Sequence, residues 1–556
     1  MVKNIFQYSV ISLAVALGLT ACGGGSNDKA AQNGSQSAAP AGKAAADKQG
    51  ITINNGAEPE SLDPNKVSGV PESNVLRQML IGLTNTDPDG KTIPGMAEKW
   101  ESADGKVWTF HLRDAKWSNG DPVTADDFVY SFRRLLDPKT ASPYASYLAD
   151  AKVLNAQDVV DGKKSPDSIG VKAVDAKTLE ITLTESEPYF PDMLIHTSTK
   201  PVNKKAIEKF GEKWTSPENM VVNGPYKLKA WEVNSQIVLE RNSSYYDDAK
   251  TKINQVTFLP VSSQATDVSR YKAGEIDVTY NDLPTEQFAQ IKSSMADELK
   301  TGPYLCTYYY ELNNTKPPFN DPKVRRALML SLDRDTLAAK VQGRGEQAAY
   351  EFTPPSTNGM TANTPEWKAW DAAKRIEEAK KLLAEAGYSE AKPLKFELLY
   401  NTSENHKKMA VAATALWKQA LGDKLIDITL ANQEWKTYLD SRRHQNFTMS
   451  RAAWCGDYNE PSSFLNMFKS NNSGNYGKYK SDAYDQLIGQ TLKNGVTPEQ
   501  RSGFYQKAEA EMDKDAANVM VYHYANARLV KPYVEGYTAK DPLDQFQVKD
   551  WSLKAH

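Results

Sequence analysis

Cysteine and histidine are scarce in this chain, and the familiar catalytic motifs are missing. The sequence holds three cysteines and six histidines in 556 residues. It contains no Cys-x-x-Cys and no His-Glu-x-x-His, so no zinc site is indicated. Phosphate-binding glycine loops and a Gly-x-Ser-x-Gly elbow are also absent. Catalysis is therefore the weaker hypothesis, with a glycosidase-like pair of carboxylates as the open alternative, and we expect no cofactor and no metal.

Charge of one sign and long apolar runs are missing as well. The 67 basic and 70 acidic side chains leave a net charge of -3, and no basic stripe indicates a nucleic-acid surface. Beyond the amino terminus, no run approaches the ~20 apolar residues that a membrane-spanning helix needs. We therefore expect no nucleic-acid partner and no transmembrane span.

The amino terminus, in contrast, has the pattern of a bacterial export signal. Lys3 supplies the positive start, and residues 10–19 form a short apolar core. The core runs into Leu19-Thr20-Ala21-Cys22, a pattern typical of lipid attachment to the cysteine. We predict a signal peptide over residues 1–21 and a lipidated Cys22. Residues 22–49 contain almost no large apolar side chains that could form a core, so we expect a flexible linker there.

The two remaining cysteines, Cys306 and Cys455, lie far downstream and beside aromatic residues. An exported chain with two thiols after its anchor is a candidate for one disulfide. Aromatic residues are the compositional excess, with 11 Trp and 27 Tyr. Because Trp and Tyr are amphipathic, we expect several of them to line a binding surface and others to pack in the core.

Alternation and capping signals predict strands and helices in turn along the chain. Residues 107–112 and 394–400 alternate as half-buried strands do. Thr124 precedes two aspartates as a helix N-cap, and residues 373–386 have helical spacing that stops at Gly387. Further strands are expected at residues 51–54, 179–183, 255–259 and 276–278, and a further helix at residues 73–83. This alternation predicts α/β layers with a sheet in each lobe.

Six stretches carry the most specific pattern in the sequence. They are Trp108-Thr109-Phe110-His111-Leu112-Arg113, Lys116-Trp117-Ser118-Asn119-Gly120-Asp121-Pro122-Val123-Thr124-Ala125, Asn223-Gly224-Pro225-Tyr226, Arg270-Tyr271-Lys272-Ala273-Gly274-Glu275-Ile276-Asp277, Arg325-Arg326-Ala327-Leu328 and residues 454–461. Together they resemble the large solute-binding proteins of peptide ABC transporters. The resemblance covers nearly all of residues 51–556.

The resemblance implies a fold and a domain organisation. We expect a two-lobed periplasmic-binding-protein fold of the Venus-flytrap type, with mixed sheets in each lobe and an additional inserted domain. Lobe I would comprise residues 50–79, 203–305 and 523–556. The inserted domain II would comprise residues 80–202, and lobe III would comprise residues 306–522. Ligand would lie between the lobes, which close over it by hinge motion.

The resemblance also implies a function without catalysis. The chain would be a membrane-anchored lipoprotein of the periplasm in a Gram-negative envelope, and a monomer. It would capture oligopeptides and deliver them to the transmembrane permease subunits of an ABC importer. Receptors of the same fold for murein tripeptide, dipeptide or haem remain alternatives. A lipid-anchored surface adhesin or chaperone is an alternative of a different class.

A receptor indifferent to peptide sequence has to bind the ammonium, the carboxylate and the backbone. The resemblance assigns the ammonium to Asp457, although a helix cap or a lysine partner would be its more ordinary role. It assigns the carboxylate to Arg451 and His406, with a surface role for the histidine as the alternative. Where relatives carry a further lysine, this sequence has Gln342, flanked at a distance of two residues by Lys340 and Arg344. The departure leaves the preferred peptide length open.

The remaining expected contacts surround the peptide backbone and its side chains. Main-chain groups of Gly69 and Val70 on one lobe, and of Trp454, Cys455 and Gly456 on the other, would hold the peptide as an added strand. The expected pocket walls are Trp435, Trp454, Tyr144, Tyr309 and Arg442. Asn401 is a further expected peptide-binding residue. Core packing is the alternative for the walls, above all for Tyr309. A disulfide between Cys306 and Cys455 would hold the ammonium-binding loop against the hinge.

Overall fold

The computed structural model describes residues 49–555. The predicted signal peptide, Cys22 and almost all of the predicted linker lie outside these residues. In chain order the strands are β1 (Gly50–Asn54), β2 (Thr84–Thr86), β3 (Thr92–Pro94), β4 (Ala97–Glu101), β5 (Val107–Leu112), β6 (Val171–Asp175), β7 (Thr178–Thr182), β8 (Tyr226–Glu232), β9 (Gln236–Arg241), β10 (Gln255–Leu259), β11 (Leu299–Leu312), β12 (Gln347–Ala348), β13 (Leu394–Asn401), β14 (Ile426–Gln433), β15 (Met449–Cys455), β16 (Asn518–Leu529), β17 (Val534–Glu535) and β18 (Ser552–Leu553).

Helices alternate with these strands. They are α1 (Val70–Met79), α2 (Ala125–Leu136), α3 (Tyr147–Asp150), α4 (Ala156–Val160), α5 (Phe190–Met193), α6 (Lys204–Phe210), α7 (Gln264–Lys272), α8 (Thr285–Ser294), α9 (Pro322–Ser331), α10 (Arg334–Thr336), α11 (Ala372–Glu385), α12 (Glu404–Leu421), α13 (Trp435–Arg443), α14 (Ser462–Leu465), α15 (Asp482–Gln490) and α16 (Pro498–Asp515). A π-helical turn, Leu337–Gln342, follows α10.

The described residues form three larger sheets and two two-stranded ones, β2-β3 and β17-β18. The first has the strand order β1-β10-β9-β8, the second β4-β5-β7-β6, and the third β12-β16-β11-β15-β13-β14. The first and third sheets mix parallel with antiparallel pairs, whereas the second is antiparallel throughout. The predicted α/β class with mixed sheets is confirmed.

Local sequence patterns explain several of these elements. In β5 the side chains of Trp108, Phe110 and Leu112 are buried, as the alternation predicted. At the start of α2 the carboxylate of Asp127 accepts a hydrogen bond of 2.8 Å from the backbone N–H of Thr124, which closes a capping box. These predictions, and the helix over residues 373–386, are confirmed within one or two residues.

Two local predictions differ from the structure. The helix expected at residues 73–83 begins earlier, at Val70, and ends at Met79. Residues 276–278 do not form a named strand, because Val278 makes only single bridges to Ile53 and Val530. Both differences arise from tertiary pairing, which local periodicity does not contain.

Strands β11 and β16 form a long antiparallel ribbon that extends from the third sheet towards the first, where Val278 bridges both Ile53 and Val530. Their pairing runs from Leu299 and Leu529 at one end to Glu311 and Asn518 at the other, with a break in register between Pro303 and Thr307. The predicted domain limits at residues 305/306 and 522/523 both fall within this ribbon. These limits stay predictions, but two continuous strands cross them side by side, as two crossing segments between lobes would.

Candidate ligand-binding cavity

A cavity of about 260 Å³ lies between the amino end of α1 and the carboxyl end of β15. The first helix turn, the loop before α3, the loop after β13 and the loop after β15 all contribute to its lining. All of the predicted peptide-binding residues except Tyr309 line it: Gly69, Val70, Tyr144, Asn401, His406, Trp435, Arg442, Arg451, Trp454, Cys455, Gly456 and Asp457. The structure therefore brings together residues that are as much as 388 positions apart in the sequence, from 69 to 457.

Asp457 lies on the loop that follows β15, at one end of the cavity. Its backbone N–H donates to Ser463 Oγ at 2.7 Å, and the hydroxyl of Tyr144 donates to its Oδ1 at 3.0 Å. The residue is 7 % exposed. Burial raises the pKa of the carboxyl to about 8, although the Tyr144 hydrogen bond opposes the shift. No lysine or arginine of residues 49–555 forms an ion pair with it.

His196 is a partner of Asp457 that sequence reasoning missed. Its Nε2 lies 3.3 Å from Asp457 Oδ1, and its Nδ1 lies 2.8 Å from Ser198 Oγ. Burial, with repulsion from Arg77 and Lys200, lowers the pKa of the imidazole to about 3. The histidine is therefore neutral, and its contact with Asp457 is not an ion pair at neutral pH. No local motif marks His196, because the contact joins positions 261 apart, 196 and 457.

Arg451 lies on β15, six positions before Asp457. Its Nη1 donates to Asn401 Oδ1 at 3.2 Å, its Nη2 donates to Tyr524 Oη at 2.7 Å, and the guanidinium lies 5.0 Å from the ring centre of Tyr308. In the described part of the chain no carboxylate forms an ion pair with it, and its Nε has no hydrogen-bond partner. Because buried cations are normally paired, Arg451 is the wall group best suited to an incoming carboxylate.

His406 lies in the first turn of α12, where Ser403 Oγ accepts a hydrogen bond from its backbone N–H. The imidazole is buried, and Nδ1 has no hydrogen-bond partner. Burial, with the nearby charges of Arg451 and Arg344, holds the pKa of the imidazole well below its usual range. The cavity wall therefore presents a neutral His406 where the resemblance implied a second cation.

The departure at Gln342 leaves no unpaired cation in its place. The side-chain amide of Gln342 donates to Asn405 Oδ1 at 2.9 Å and accepts from Arg344 Nη2 at 2.7 Å. Arg344 is paired with Glu346 at 2.5 Å and also with Asp282. Lys340 is exposed. None of the three residues lines the cavity.

The walls combine aromatic rings with side chains that are already paired. Trp435 Nε1 donates to Glu72 Oε1 at 3.1 Å, and a Cβ at Gly69 would collide with the side chains of Glu72 and Trp435, which would have to shift. Arg442 is paired with Glu311 at 2.9 Å, which makes it a wall group with little spare charge.

Tyr309 does not line the cavity. Its side chain is fully buried and packs edge-on against Phe352, with ring centres 5.1 Å apart. The structure places Tyr309 in the core, which was the alternative to a pocket wall. Its neighbours Tyr308 and Tyr310 point to the opposite face of β11, into a second apolar cluster.

Cys306 and Cys455 form a disulfide. They are directly opposite each other in the antiparallel pair of β11 and β15. The next residue, Gly456, donates its backbone N–H to Leu305 O at 2.8 Å. The loop that carries Asp457 is thus attached to β11 by one covalent bond and one backbone hydrogen bond.

Within residues 49–555 there is no cluster of three or more His, Cys, Asp or Glu side chains suited to a metal ion. None of the helices in that range has both the length and the apolar character needed to cross a bilayer.

Comparison with known proteins identifies the family. Residues 91–476 match the family described as bacterial extracellular solute-binding proteins, family 5 Middle. The chain belongs to this family. It is 57 % identical over 518 residues to the periplasmic oligopeptide-binding protein OppA of Salmonella typhimurium, covering 93 % of this chain and 95 % of that protein.

Solved structures of this family show the same fold. The Haemophilus influenzae OppA complex with RPPGFSPFR has a TM-score of 0.89 at 49 % identity, covering 91 % of this chain and 99 % of that one. The Escherichia coli murein tripeptide-binding protein MppA has a TM-score of 0.90 at 42 % identity, covering 92 % and 100 %. For the unliganded open form of MppA the TM-score is 0.63, with 92 % and 99 % covered. The two-lobed solute-binding fold is confirmed, in an arrangement unlike that open form.

Proposed function

We propose that this family 5 protein captures oligopeptides in its cavity by both of their termini. The observation that carries the proposal is a pair of unsatisfied ionisable groups in one cavity. Asp457 is a buried carboxyl without a lysine or arginine partner, and Arg451 is a buried guanidinium without a carboxylate partner among residues 49–555. A zwitterionic peptide supplies both missing charges. The relatives named for oligopeptide binding support the same ligand class.

Each step of capture follows from these groups. The peptide ammonium takes the place between Asp457, Tyr144 and His196, where it restores charge to a carboxyl that burial keeps protonated. The backbone adds as a strand along Trp454–Gly456 and the segment at Gly69, since extended chains pair through main-chain groups. Six positions of extended strand span at most about 20 Å, which fits a peptide of a few residues between Asp457 and Arg451.

The cellular role extends this proposal beyond the cavity. We propose that a lipid on Cys22 anchors the chain, that residues 22–49 form its flexible tether, and that it works as a monomer in the periplasm. Lobe I would consist of residues 50–79, 203–305 and 523–556, domain II of residues 80–202, and lobe III of residues 306–522. The closed lobes would then deliver peptide to the permease of an ABC importer. Binding would involve no turnover, so incubated peptide should show an unchanged mass.

Calorimetry with trialanine and its N-acetyl derivative tests the ammonium assignment. We expect Asp457→Asn to weaken trialanine binding by about 100-fold or more, because the buried ammonium loses its partner. Acetylation should weaken binding to the parent protein similarly and add little loss in the variant. Asp423→Asn, on an exposed position, is the matched control and should bind like the parent. Full-strength binding of trialanine to Asp457→Asn would refute the assignment.

A further inference from the structure

Arg77 is a buried cation on the cavity wall that none of the proposed contacts uses. It lies in α1, two turns after the segment at Gly69 and Val70 that reaches the cavity. Its side chain lines the cavity, and the residue is 9 % exposed. A guanidinium in such a position needs hydrogen-bond acceptors and a counter-charge, since burial of an unpaired charge is costly.

The protein supplies few of these acceptors. One donor, Nη1, bonds to Asn74 Oδ1 at 3.2 Å. No carboxylate of the described residues lies within ion-pair distance. Desolvation lowers the pKa of Arg77, and the charges of Asp541 and Asp544 offset this shift only in part. The guanidinium therefore keeps donors and positive potential that face the cavity.

The two nearby acids are already engaged by other groups. Asp544 pairs with Arg528, and its oxygens also accept from Asn281 and Asn526 at 3.0 and 2.9 Å. Asp541 accepts the backbone N–H groups of Leu543 and Gln545 at 2.8 and 2.9 Å. Neither acid is held at hydrogen-bond distance by Arg77.

The other titratable groups around Arg77 add no negative charge. His196 is neutral at neutral pH, and the pKa of Lys200 is lowered to about 7 by burial and by Arg77 itself. The proximity of Arg77 is one cause of both shifts, so the three basic groups share one region. The positive charge of Arg77 in this part of the wall is therefore offset only in part, by Asp541 and Asp544.

Contacts between neighbouring residues place Arg77 near Asp457, the proposed ammonium site. Gln78, the residue after Arg77, donates to Phe546 O at 3.2 Å, and the neighbouring Gln545 donates its Nε2 to the main-chain oxygen of Asp457 at 3.3 Å. Arg77 therefore belongs to the end of the cavity that would receive the first residues of a peptide. We propose that Arg77 forms an anion subsite for an aspartate or glutamate side chain at the first or second position of the peptide.

This inference rests on the proposed peptide function, and a glutamate scan tests it separately. Calorimetry would compare Glu-Ala-Ala, Ala-Glu-Ala and Ala-Ala-Glu, each with its glutamine counterpart, on the parent protein. We expect glutamate to bind about tenfold tighter than glutamine at one of the first two positions, as a charge-assisted hydrogen bond would give. At the third position no gain is expected. Equal affinities for glutamate and glutamine peptides would overturn the subsite, whereas absence of all peptide binding would refute the peptide function itself.

Variants at Arg77 complete the test. Arg77→Gln should abolish the preference for glutamate, measured as the ratio of the affinities of each glutamate peptide and its glutamine counterpart, so that a change common to both peptides cancels. Arg77→Lys should retain part of the preference. Circular dichroism and thermal unfolding establish that each variant is folded. A glutamate preference that persists in folded Arg77→Gln would assign it to another group and overturn the proposal.

Discussion

Asp457 and Glu187 are buried carboxyls with the same pKa but different surroundings. Asp457 lines the cavity, where a cation can approach it. Glu187 is fully buried, and neither of its oxygens has a hydrogen-bond partner in the described residues. Burial raises the pKa to about 8 in both cases, and for Glu187 the nearby charge of Glu460 adds to the shift. The two residues therefore predict different pH effects, one on binding and one on stability.

At Asp457 we predict that peptide binding releases a proton. Burial raises the pKa of the Asp457 carboxyl to about 8, and a bound ammonium must lower it, since an opposite charge favours the carboxylate. At pH 7 the free carboxyl is mostly protonated and the bound one ionised, so affinity should rise with pH from 6 towards 8. Calorimetry at pH 7 in buffers of different ionisation enthalpy measures the released proton. Asp457→Asn should release none, and an absence of release from the parent protein would contradict the assignment.

At Glu187 we predict a penalty on folding that grows with pH. The folded state keeps a proton up to about pH 8, whereas an unfolded glutamate loses it near pH 4.3. The contribution of Glu187 to the free energy of unfolding is therefore fully present below the pKa of the unfolded state. It is lost as pH rises through the pKa of the folded state. Glu187→Gln should remove this dependence, so its advantage over the parent should be about 1–3 kcal/mol larger at pH 8 than at pH 5. Denaturant unfolding at both pH values measures the difference, and parallel pH profiles would contradict it.

Single residues also show where sequence reasoning ends. In β11 the side chains of Tyr308 and Tyr310 lie on one face and that of Tyr309 on the other, as alternation in a strand requires. Alternation does not say which face meets the cavity, because that depends on neighbouring strands. His196 and Arg77 carry no local motif at all. Both reach the cavity through contacts between segments far apart in sequence, so only the assembled fold reveals them.

At the scale of elements, the strands and helices themselves were largely predictable. β5, α2 and α11 follow from alternation, capping and helical spacing, which are local properties. The order of the sheets is not local, since β1 pairs with β10 and β11 lies between β15 and β16. The family resemblance predicts two lobes with mixed sheets, but it does not predict these strand pairings.

The disulfide between β11 and β15 gives a prediction at this scale. It closes a loop with a sequence separation of 149, which the chain-entropy model values at about 5 kcal/mol. A variant with Cys306→Ser and Cys455→Ser should therefore unfold at lower denaturant. It should also bind trialanine more weakly, because the adjoining loop holds Asp457. Unchanged peptide affinity in a destabilised variant would assign the bond to stability alone.

At the scale of the whole molecule, ion pairs join segments on either side of the cavity. Arg443 in α13 pairs with Glu60 through two hydrogen bonds of 2.7 and 2.5 Å. Lys469 pairs with Asp150 at 2.6 Å. These contacts join segments that the predicted domain limits place in different lobes. They belong to the arrangement with a TM-score of 0.90 to MppA and 0.63 to its open form.

We predict that Arg443→Met weakens peptide binding by favouring an open arrangement. Loss of a partly buried pair should cost the closed state about 1–2 kcal/mol, which corresponds to a roughly tenfold loss of affinity. Calorimetry measures the affinity, and small-angle scattering measures the radius of gyration of the free protein. Arg133→Met is the matched control, because its pair with Asp167 is exposed. Equal affinities of the two variants would show that the Glu60 pair does not stabilise closure.

The ribbon of β11 and β16 limits how the cavity can open. Main-chain hydrogen bonds prevent a two-stranded ribbon from stretching, but such a ribbon twists and bends with little resistance. We therefore expect the lobes to open by rotation about this ribbon, with the cavity residues beside the disulfide moving least. We expect a peptide too long for the part of the cavity beside the disulfide to bend away from the β11–β16 ribbon, towards the side where rotation of the lobes opens the most space.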